Sequence, residues 1–513
     1  MKKLFMVLSL VALYLSMAIY LGCNWALANF AFTSFDEILY TLTSPFLNAG
    51  QNLIPNFIIK NLIFPLVIII GIIFIIVIYN IYNKKYNINV DVRIFNFKFK
   101  FDLFNNKIFK ITKIFLYIIP FILLSFSTYK LGNDLLFFDY IKNASVESNF
   151  FANEYVNPED VKITFPKKKR NLIYIYLESM ESTFSSIKNG GKYKINYIPN
   201  LTDIANDNIT FSDTSNLGGA RQVYGTGFTI AGMVSQSAGV PLKSVFDGNS
   251  LAKFYTVLFP GAYSLGEILA VNGYKNYIMF GSDAEFAGRD NYFKNHGNYE
   301  ILDYYKGIND GIIASNYFKN WGFEDEILYN YAKEKLTEIS KQDEPFNFTL
   351  LTVDTHTPDG FTSDFCENVS DNEYLNSIYC ADKQIGDFIM WLQDQDFYDN
   401  TTIVVVGDHL SMNTYSFDNI DYYERRVYNA FINAKVKDNA KLYNNRLFTS
   451  FDIYPTTLAA LNVQIEGNKL ALGVNLFSEE QTLIERYGYE YVNEELAKRS
   501  IFYDECTLNN MCG

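Results

Sequence analysis

Two kinds of hydrophobic pattern divide this chain. Up to about residue 131 the apolar positions come in long runs, Leu4 to Leu21, Leu62 to Tyr79 and Ile114 to Tyr129. Each approaches the roughly 20 residues that a helix needs to cross a bilayer. Pro120 lies inside the third run, and bundled membrane helices tolerate that. A further stretch, Leu53 to Ile59, is too short to span alone. Beyond Asn171 the apolar runs are short and alternate with amphipathic ones. Asn171 to Leu177, Lys275 to Phe280, Phe348 to Val353 and Thr402 to Val406 read as buried strands. Pro199 to Ala205, Ser264 to Asn272, Glu324 to Lys341, Asp371 to Gln393 and Asp452 to Leu461 read as helices. This alternation predicts an α/β domain with a mainly parallel central sheet sandwiched by helices.

Charge orients the first part. Lys2 and Lys3 precede the first run, and no further Lys or Arg occurs before Lys60. Asn83 to Lys113 carries Lys84, Lys85, Arg93, Lys98, Lys100, Lys107, Lys110 and Lys113 against Asp91 and Asp102. The positive-inside rule therefore puts the N-terminus and this basic loop in the cytoplasm. With three spans, everything after about Leu131 lies outside. Leu4 to Cys23 also has the outline of a signal peptide, but it lacks a convincing small-residue cleavage site. An uncleaved anchor is the expectation. The chain then divides into a membrane anchor of about three helices (1–131), a connector at the membrane surface (132–169), an α/β domain (170–480) and a C-terminal extension (481–513). Lys167-Lys168-Lys169-Arg170 reads as a solvated turn at the domain boundary. Cys366 with Cys380, and Cys506 with Cys512, are the simplest of three pairings. Such bridges persist in an oxidising compartment. The net charge of -13 argues against a nucleic-acid partner.

Three of the strand-like runs stop at reactive groups. The first ends in Glu178-Ser179, the Phe348 run in Asp354-Thr355-His356, and the Thr402 run in Gly407-Asp408-His409. Open parallel sheets place ligand sites outside the carboxyl ends of their strands. Glu178, His356, Asp408 and His409 are thus aimed at one crevice, a metal-dependent site in outline. A glycine-rich loop, Gly218 to Gly227, runs into an apolar helix. Thr226 sits between two glycines at the expected helix start. It reads either as an N-cap or as a nucleophile at the positive end of a helix, where backbone N–H groups hold phosphate. His296 reads as a surface or structural residue.

Taken together and in order, these motifs resemble the alkaline phosphatase/sulfatase superfamily. They are most similar to membrane-bound phosphoglycerol transferases of periplasmic glucans, relatives of lipoteichoic acid synthase. The resemblance covers about Asn171 to Leu476. It rests on Leu177-Glu178-Ser179, Gly225 to Met233, Phe286-Ala287-Gly288-Arg289, Asp354 to Gly360, Cys380-Ala381-Asp382, Asp408 to Thr414 and Phe451 to Thr456. It implies one divalent metal ion, manganese or zinc with magnesium as a further option, held by Glu178, Thr226, Asp408 and His409. Thr226 would be the nucleophile. His356 would contact the substrate or move a proton, and Arg289 would bind phosphate oxygens.

The implied reaction transfers phosphoglycerol from phosphatidylglycerol to a periplasmic glycan or another envelope acceptor, through a phospho-threonine-type intermediate. The implied location is the bacterial inner membrane, multi-pass, with the catalytic domain in the periplasm. Phosphoethanolamine transfer to lipid A or another envelope acceptor is the alternative, although the nucleophile loop has none of the cysteines usual in those enzymes. A sulfatase would need a Cys or Ser in a C/S-x-P-x-R setting, which Gly225-Thr226-Gly227-Phe228 does not offer. An inactive membrane-anchored binding module is the alternative from another class.

Overall fold

The computed structural model describes residues 2–30, 35, 38–39, 53–85, 89–94, 97–102, 106–243, 257–413, 415–417, 419–436 and 445–509. It divides into two compact units, residues 1–35 with 50–140, and residues 36–49 with 141–513.

The first unit is mainly helical, with a two-stranded antiparallel hairpin of Asn89–Ile94 and Phe97–Asp102. Helix α1 is Lys2–Phe30, α2 is Phe64–Lys85 and α3 is Asn106–Asp134. The short stretch at Leu53 continues through Ile58–Ile63 straight into α2, so it belongs to that helix run and is no separate span. Among the described residues two helices, Leu4–Ala28 and Pro55–Ile78, are long and apolar enough to cross a membrane. The third expected span falls inside α3, which carries Lys107, Lys110 and Lys113 before it and Lys130 and Asp134 after it. Within this unit Phe5 of α1 meets Tyr117 of α3 edge-on, with ring centroids 5.5 Å apart.

The second unit is built on a six-stranded sheet. Its strands are β1 (Asn171–Leu177), β2 (Lys275–Phe280), β3 (Glu300–Leu302), β4 (Phe346–Leu351), β5 (Thr401–Gly407) and β6 (Asn429–Ile432). Their spatial order is β3-β2-β4-β1-β5-β6. All neighbours are parallel except β5 and β6. Strands β4 and β5 are buried along their whole length and β1 beyond its first residue, as expected when helices cover both faces.

Side-chain alternation along β1 splits the core in two. Leu172, Tyr174 and Tyr176 join one cluster, with helices α5 (Thr229–Ala238), α6 (Leu265–Val271) and α10 (Ile453–Ala460). Ile173, Ile175 and Leu177 join the other, with α4 (Pro199–Asp207), α8 (Asp325–Ile339) and α9 (Glu373–Gln393). A short helix, α7 (Arg289–Asn295), follows β2.

Arg170 departs from the expected solvated turn. It is buried, and its guanidinium donates to Thr402 Oγ1 at 3.0 Å and to the carbonyls of Thr401 and Asn433 at 2.9 and 3.0 Å. It therefore staples the start of β1 to β5. Cys366 and Cys380 form a disulfide. Cys506 is also disulfide-bonded, and its expected partner Cys512 lies outside the described residues.

Candidate active site

The register of the central strands places the first two candidate ligands. Leu177 of β1 pairs with Gly407 of β5 in parallel, so the next residues, Glu178 and Asp408, leave the sheet side by side. Ser179 then turns at φ 55°, a left-handed conformation that costs a non-glycine residue about 1 kcal/mol or more. Its N–H donates to Asp408 Oδ1 at 2.8 Å and its hydroxyl to Glu178 Oε1 at 2.7 Å. The strained turn thus locks one carboxylate to the other. From the segment after β4, Thr352 Oγ1 accepts the Glu178 N–H at 2.9 Å, and the Thr355 hydroxyl donates to the Glu178 carbonyl.

His409 completes the cluster. Its Nδ1 lies 2.7 Å from the Leu410 carbonyl, which only accepts, so Nδ1 carries the hydrogen and Nε2 presents a lone pair. That Nε2 is 3.4 Å from Asp408 Oδ2 and 3.6 Å from Glu178 Oε1. The three ligand atoms all lie within 4.8 Å of one another, and the three residues are buried. Asp408 Oδ2 is buried without a hydrogen-bond partner, although a buried carboxylate oxygen ordinarily has one. Burial lifts the Asp408 carboxyl well above its usual range, and the neighbouring Glu178 adds to the effect. For Glu178, burial is outweighed by His409, His356 and the Ser179 hydroxyl, and its pKa is lowered. Burial keeps His409 below its ordinary value despite Glu178. Two carboxylates this close share one negative charge unless a cation joins them. The orphaned oxygen, the neutral imidazole lone pair and the mixed donor set fit a divalent ion of zinc or manganese type.

The structure corrects the expectation for Thr226. Its hydroxyl donates to the Val223 carbonyl at 2.8 Å and accepts the Val223 N–H at 3.1 Å. It closes a tight turn and is not part of the cluster. The reason is where the helix begins. Phe228 is still extended at φ −147°, ψ 161°, and Thr229 is the first helical residue. Thr229 Oγ1 stands 3.2 Å from Glu178 Oε2 and 3.4 Å from His409 Nε2. A hydroxyl on the first turn of α5 therefore sits at the ligands, among the unpaired N–H groups of a helix N-terminus.

Two residues of α5 that the sequence reading passed over dock this helix. Gly232 lies so close to the end of β5 that an added Cβ would stand 2.1 Å from the Asp408 carbonyl oxygen. The Gln236 amide donates to the carbonyls of Gly407 and Asp408 at 2.9 and 3.1 Å and accepts the Tyr174 hydroxyl at 2.9 Å. Nothing in the local sequence marks them, since their partners are backbone carbonyls remote along the chain. The preceding loop is braced from the C-terminal segment. Asn493 Oδ1 accepts the Tyr224 N–H at 2.7 Å, and the Tyr489 hydroxyl donates to the Gln222 carbonyl at 2.8 Å.

A crevice opens beside the cluster, lined by Glu178, Thr229, Phe286, Arg289, Trp321 and His356 among others. Arg289 is 5% exposed. Its Nη2 donates to Ser282 Oγ and the Asp283 carbonyl at 2.9 and 2.6 Å, and Nε to the Phe286 carbonyl at 3.1 Å. Burial lowers its pKa to about 10, so it remains a cation at neutral pH. His356 has Nδ1 2.8 Å from the Thr357 carbonyl, and its ring packs on Trp321 at 4.6 Å. Arg289 and His356 thus reach the same crevice as the cluster. His296 does not. It is buried between Glu267 Oε2 at 3.0 Å and the Leu258 carbonyl at 2.7 Å, a structural position. Glu181 and Arg425 form a buried ion pair behind the 408–413 loop, where Glu181 Oε1 accepts the Ser411 N–H at 2.8 Å.

Comparisons with known proteins identify the family. The sulfatase family model matches residues 170–463. Phosphoglycerol transferase I of Escherichia fergusonii is 35% identical over 284 residues, 54% of this chain and 35% of the relative. Its counterpart in Escherichia coli (strain K12) is 34% identical over 284 residues with the same coverage. The match thus spans about a third of the length of these relatives. Among solved structures, the integral membrane protein lipooligosaccharide phosphoethanolamine transferase A (EptA) from Neisseria meningitidis aligns at a TM-score of 0.50 and 12% identity. That alignment covers 89% of this chain and 84% of that chain, a likeness of fold.

Proposed function

The chain belongs to the sulfatase family, and on that footing we propose that it is a metal-dependent phosphoglycerol transferase whose nucleophile is Thr229. The observation that carries this reading is the placement of the Thr229 hydroxyl at Glu178 and His409 on the first turn of a helix. Glu178, Asp408, His409 and Thr229 would hold one divalent ion. When bound, the ion lowers the pKa of the threonine hydroxyl and neutralises charge on phosphoryl oxygens.

The rest falls to the chain's own groups. Arg289 orients the phosphodiester of the donor, taken as phosphatidylglycerol, against Thr229. The N–H groups at the start of α5 hold its equatorial oxygens. Thr229 Oγ1, its proton released to solvent, bonds to phosphorus as the bond to the diacylglycerol oxygen breaks, and His356 gives that oxygen a proton. The phosphoglyceryl group then passes from Thr229 to a hydroxyl of a periplasmic glycan or another envelope acceptor. The apolar N-terminal helices support a multi-pass anchor in the inner membrane with the catalytic unit on the periplasmic side. That anchor raises the effective concentration of a lipid donor.

The test is to incubate the full chain, Mn2+ and labelled phosphatidylglycerol, and to weigh the trapped protein. Wild type and Thr226→Ala should gain a glycerophosphate mass on the peptide containing residue 229, and Thr229→Ala should gain none. An adduct that persists in Thr229→Ala and disappears in Thr226→Ala would overturn the assignment. A phosphoethanolamine mass from mixed lipid would move the reading to that donor.

A further inference from the structure

Arg289, Phe286, Trp321 and His356 stand in a row along the crevice. The Arg289 guanidinium lies 5.6 Å from the Phe286 ring centre. The Phe286 and Trp321 rings are 5.5 Å apart, and the Trp321 and His356 rings 4.6 Å apart at 54°. These are contact separations for a cation on a ring and for aromatic pairs. The row runs unbroken from the group that would bind phosphate to the group that would give the proton. Trp321 is the member in ring contact with His356.

The backbone fixes Trp321 from both sides. Residues 319–322 make a tight hairpin, in which the Lys319 N–H donates to the Gly322 carbonyl at 2.8 Å and the Gly322 N–H to the Lys319 carbonyl at 3.0 Å. The hairpin is seated just past β2. The Phe323 N–H donates to the Gly281 carbonyl at 3.0 Å, and a Cβ on Gly322 would stand 2.1 Å from the same oxygen. Further along, the Asp325 carboxylate accepts the N–H groups of Val353 and Asp354 at 2.8 and 3.1 Å. The segment that carries Trp321 is thus tied both to β2 and to the stretch leading into His356. The His356 ring has a more local hold. Its Nδ1 lies 2.8 Å from the carbonyl of the adjacent Thr357, so Nδ1 carries a hydrogen and Nε2 is left to serve the substrate. The ring torsion of a histidine is broad, and a bond to the next residue's carbonyl travels with the loop. The indole ties the imidazole to the rest of the fold.

We infer that Trp321 is a positioning residue that holds the His356 imidazole, in fixed relation to Arg289, where Nε2 protonates the departing oxygen. The inference rests on the transferase reading above. In the step concerned, Thr229 Oγ1 bonds to phosphorus and the bond from phosphorus to the diacylglycerol oxygen breaks. The electron pair of that bond stays on the oxygen, which takes the proton from His356 Nε2. The imidazole is left neutral with its hydrogen on Nδ1, and solvent returns the proton. Trp321 acts through His356, so its loss should tell only on donors whose leaving oxygen needs a proton.

The experiment uses the full chain in micelles with Mn2+ and compares two donors. Phosphatidylglycerol releases an alkoxide that must be protonated. The p-nitrophenyl ester of glycerol phosphate releases a phenolate that needs no proton. A placed general acid contributes about 10²–10⁴-fold, so Trp321→Leu should slow adduct formation from phosphatidylglycerol by about tenfold or more. KM for that donor, and the rate with the p-nitrophenyl donor, should each stay within about twofold of wild type. Trp321→Phe keeps a ring and should recover most of the loss. Trp321→Met carries the same comparison where the leucine variant fails to melt cooperatively. In a His356→Ala background Trp321→Leu should cost nothing more, because the two residues act as one. Equal loss with both donors, a full further loss in the His356→Ala background, or no loss with phosphatidylglycerol would each overturn the inference. If wild type forms no adduct with either donor, the transferase reading falls instead, and the placement is read by NMR of labelled histidine nitrogens in the full chain with Zn2+. His356 should then show a single tautomer in wild type, with its hydrogen on Nδ1, and a mixture in Trp321→Leu. A single tautomer in both would overturn the positioning role.

Discussion

Substituting Gly232 by alanine tests the docking of α5 with an effect whose sign is informative. Inside a helix, Ala is favoured over Gly by about 1 kcal/mol, so propensity alone makes Gly232→Ala stabilising. The structure opposes that. The new Cβ would stand 2.1 Å from the Asp408 carbonyl oxygen, against 3.4 Å for an ordinary contact, so something must yield by 1.3 Å. The oxygen cannot retreat easily, since it belongs to the end of a central strand. If the helix yields, the Gln236 bonds of 2.9 and 3.1 Å to the Gly407 and Asp408 carbonyls stretch beyond hydrogen-bonding length. Thr229, one turn earlier on the same helix, moves with it. Overpacking of this kind costs about 1–3 kcal/mol, and a misplacement near 1 Å costs about 10²-fold in rate. Thermal melts should therefore show Gly232→Ala less stable than wild type. Adduct formation should fall about 100-fold, and calorimetric Mn2+ affinity should weaken. A variant that melts higher and forms the adduct at the wild-type rate would refute the docking argument.

Two further predictions concern stability. Asp325 and Asp354 face each other behind the His356 loop, each carboxylate accepting the other residue's N–H at 3.1 Å. Burial raises Asp325 to about 7, and burial with Asp325 raises Asp354 well above its usual range. A folded-state pKa above the unfolded one gives stability that is full below about pH 4 and is lost as pH rises through about 7. Asp354→Asn keeps an acceptor and removes the repulsion, so melting temperatures between pH 5 and 8 should fall less steeply than in wild type; an equal or steeper slope would count against the pair. Replacing Cys366 and Cys380 together by serine opens a loop with a sequence separation of 14. Denaturant unfolding should show a loss of about 3 kcal/mol, and no loss would mean the bridge constrains nothing in the unfolded chain.

Much of the domain could be read from the sequence because burial on both faces leaves strands as plain apolar runs. β1 and β2 lie where expected, and β4 and β5 differ by two residues or fewer at each end. With those strands came Glu178, Asp408 and His409 at their ends. The short edge strands β3 and β6 were not legible, since three or four residues carry too little pattern. The threonine that stands at Glu178 and His409 is three residues further along than expected. Gly225 and Gly227 look like the boundary of a helix, but they serve a turn that Thr226 closes on Val223, and α5 begins only after Phe228. Arg170 hid its role inside a basic run that looked solvated. Gly232 and Gln236 were invisible for a different reason, because their partners are backbone carbonyls remote in sequence.

The parallel pairing of Leu177 with Gly407 has a consequence for how the domain would exchange an ion. Adjacent strands stand about 4.8 Å apart, so the spacing of the two carboxylates is inherited from the sheet's own repeat. Groups rooted at the ends of central strands separate only when the sheet itself opens, the rarest excursion of a folded domain. His356 rides on a loop and Arg289 on the first residue of the short helix α7, outside the sheet, and both can adjust more often. Substrate traffic and the release of a bound cation would therefore run on different clocks, the first set by the rim and the second by the slowest breathing of the core.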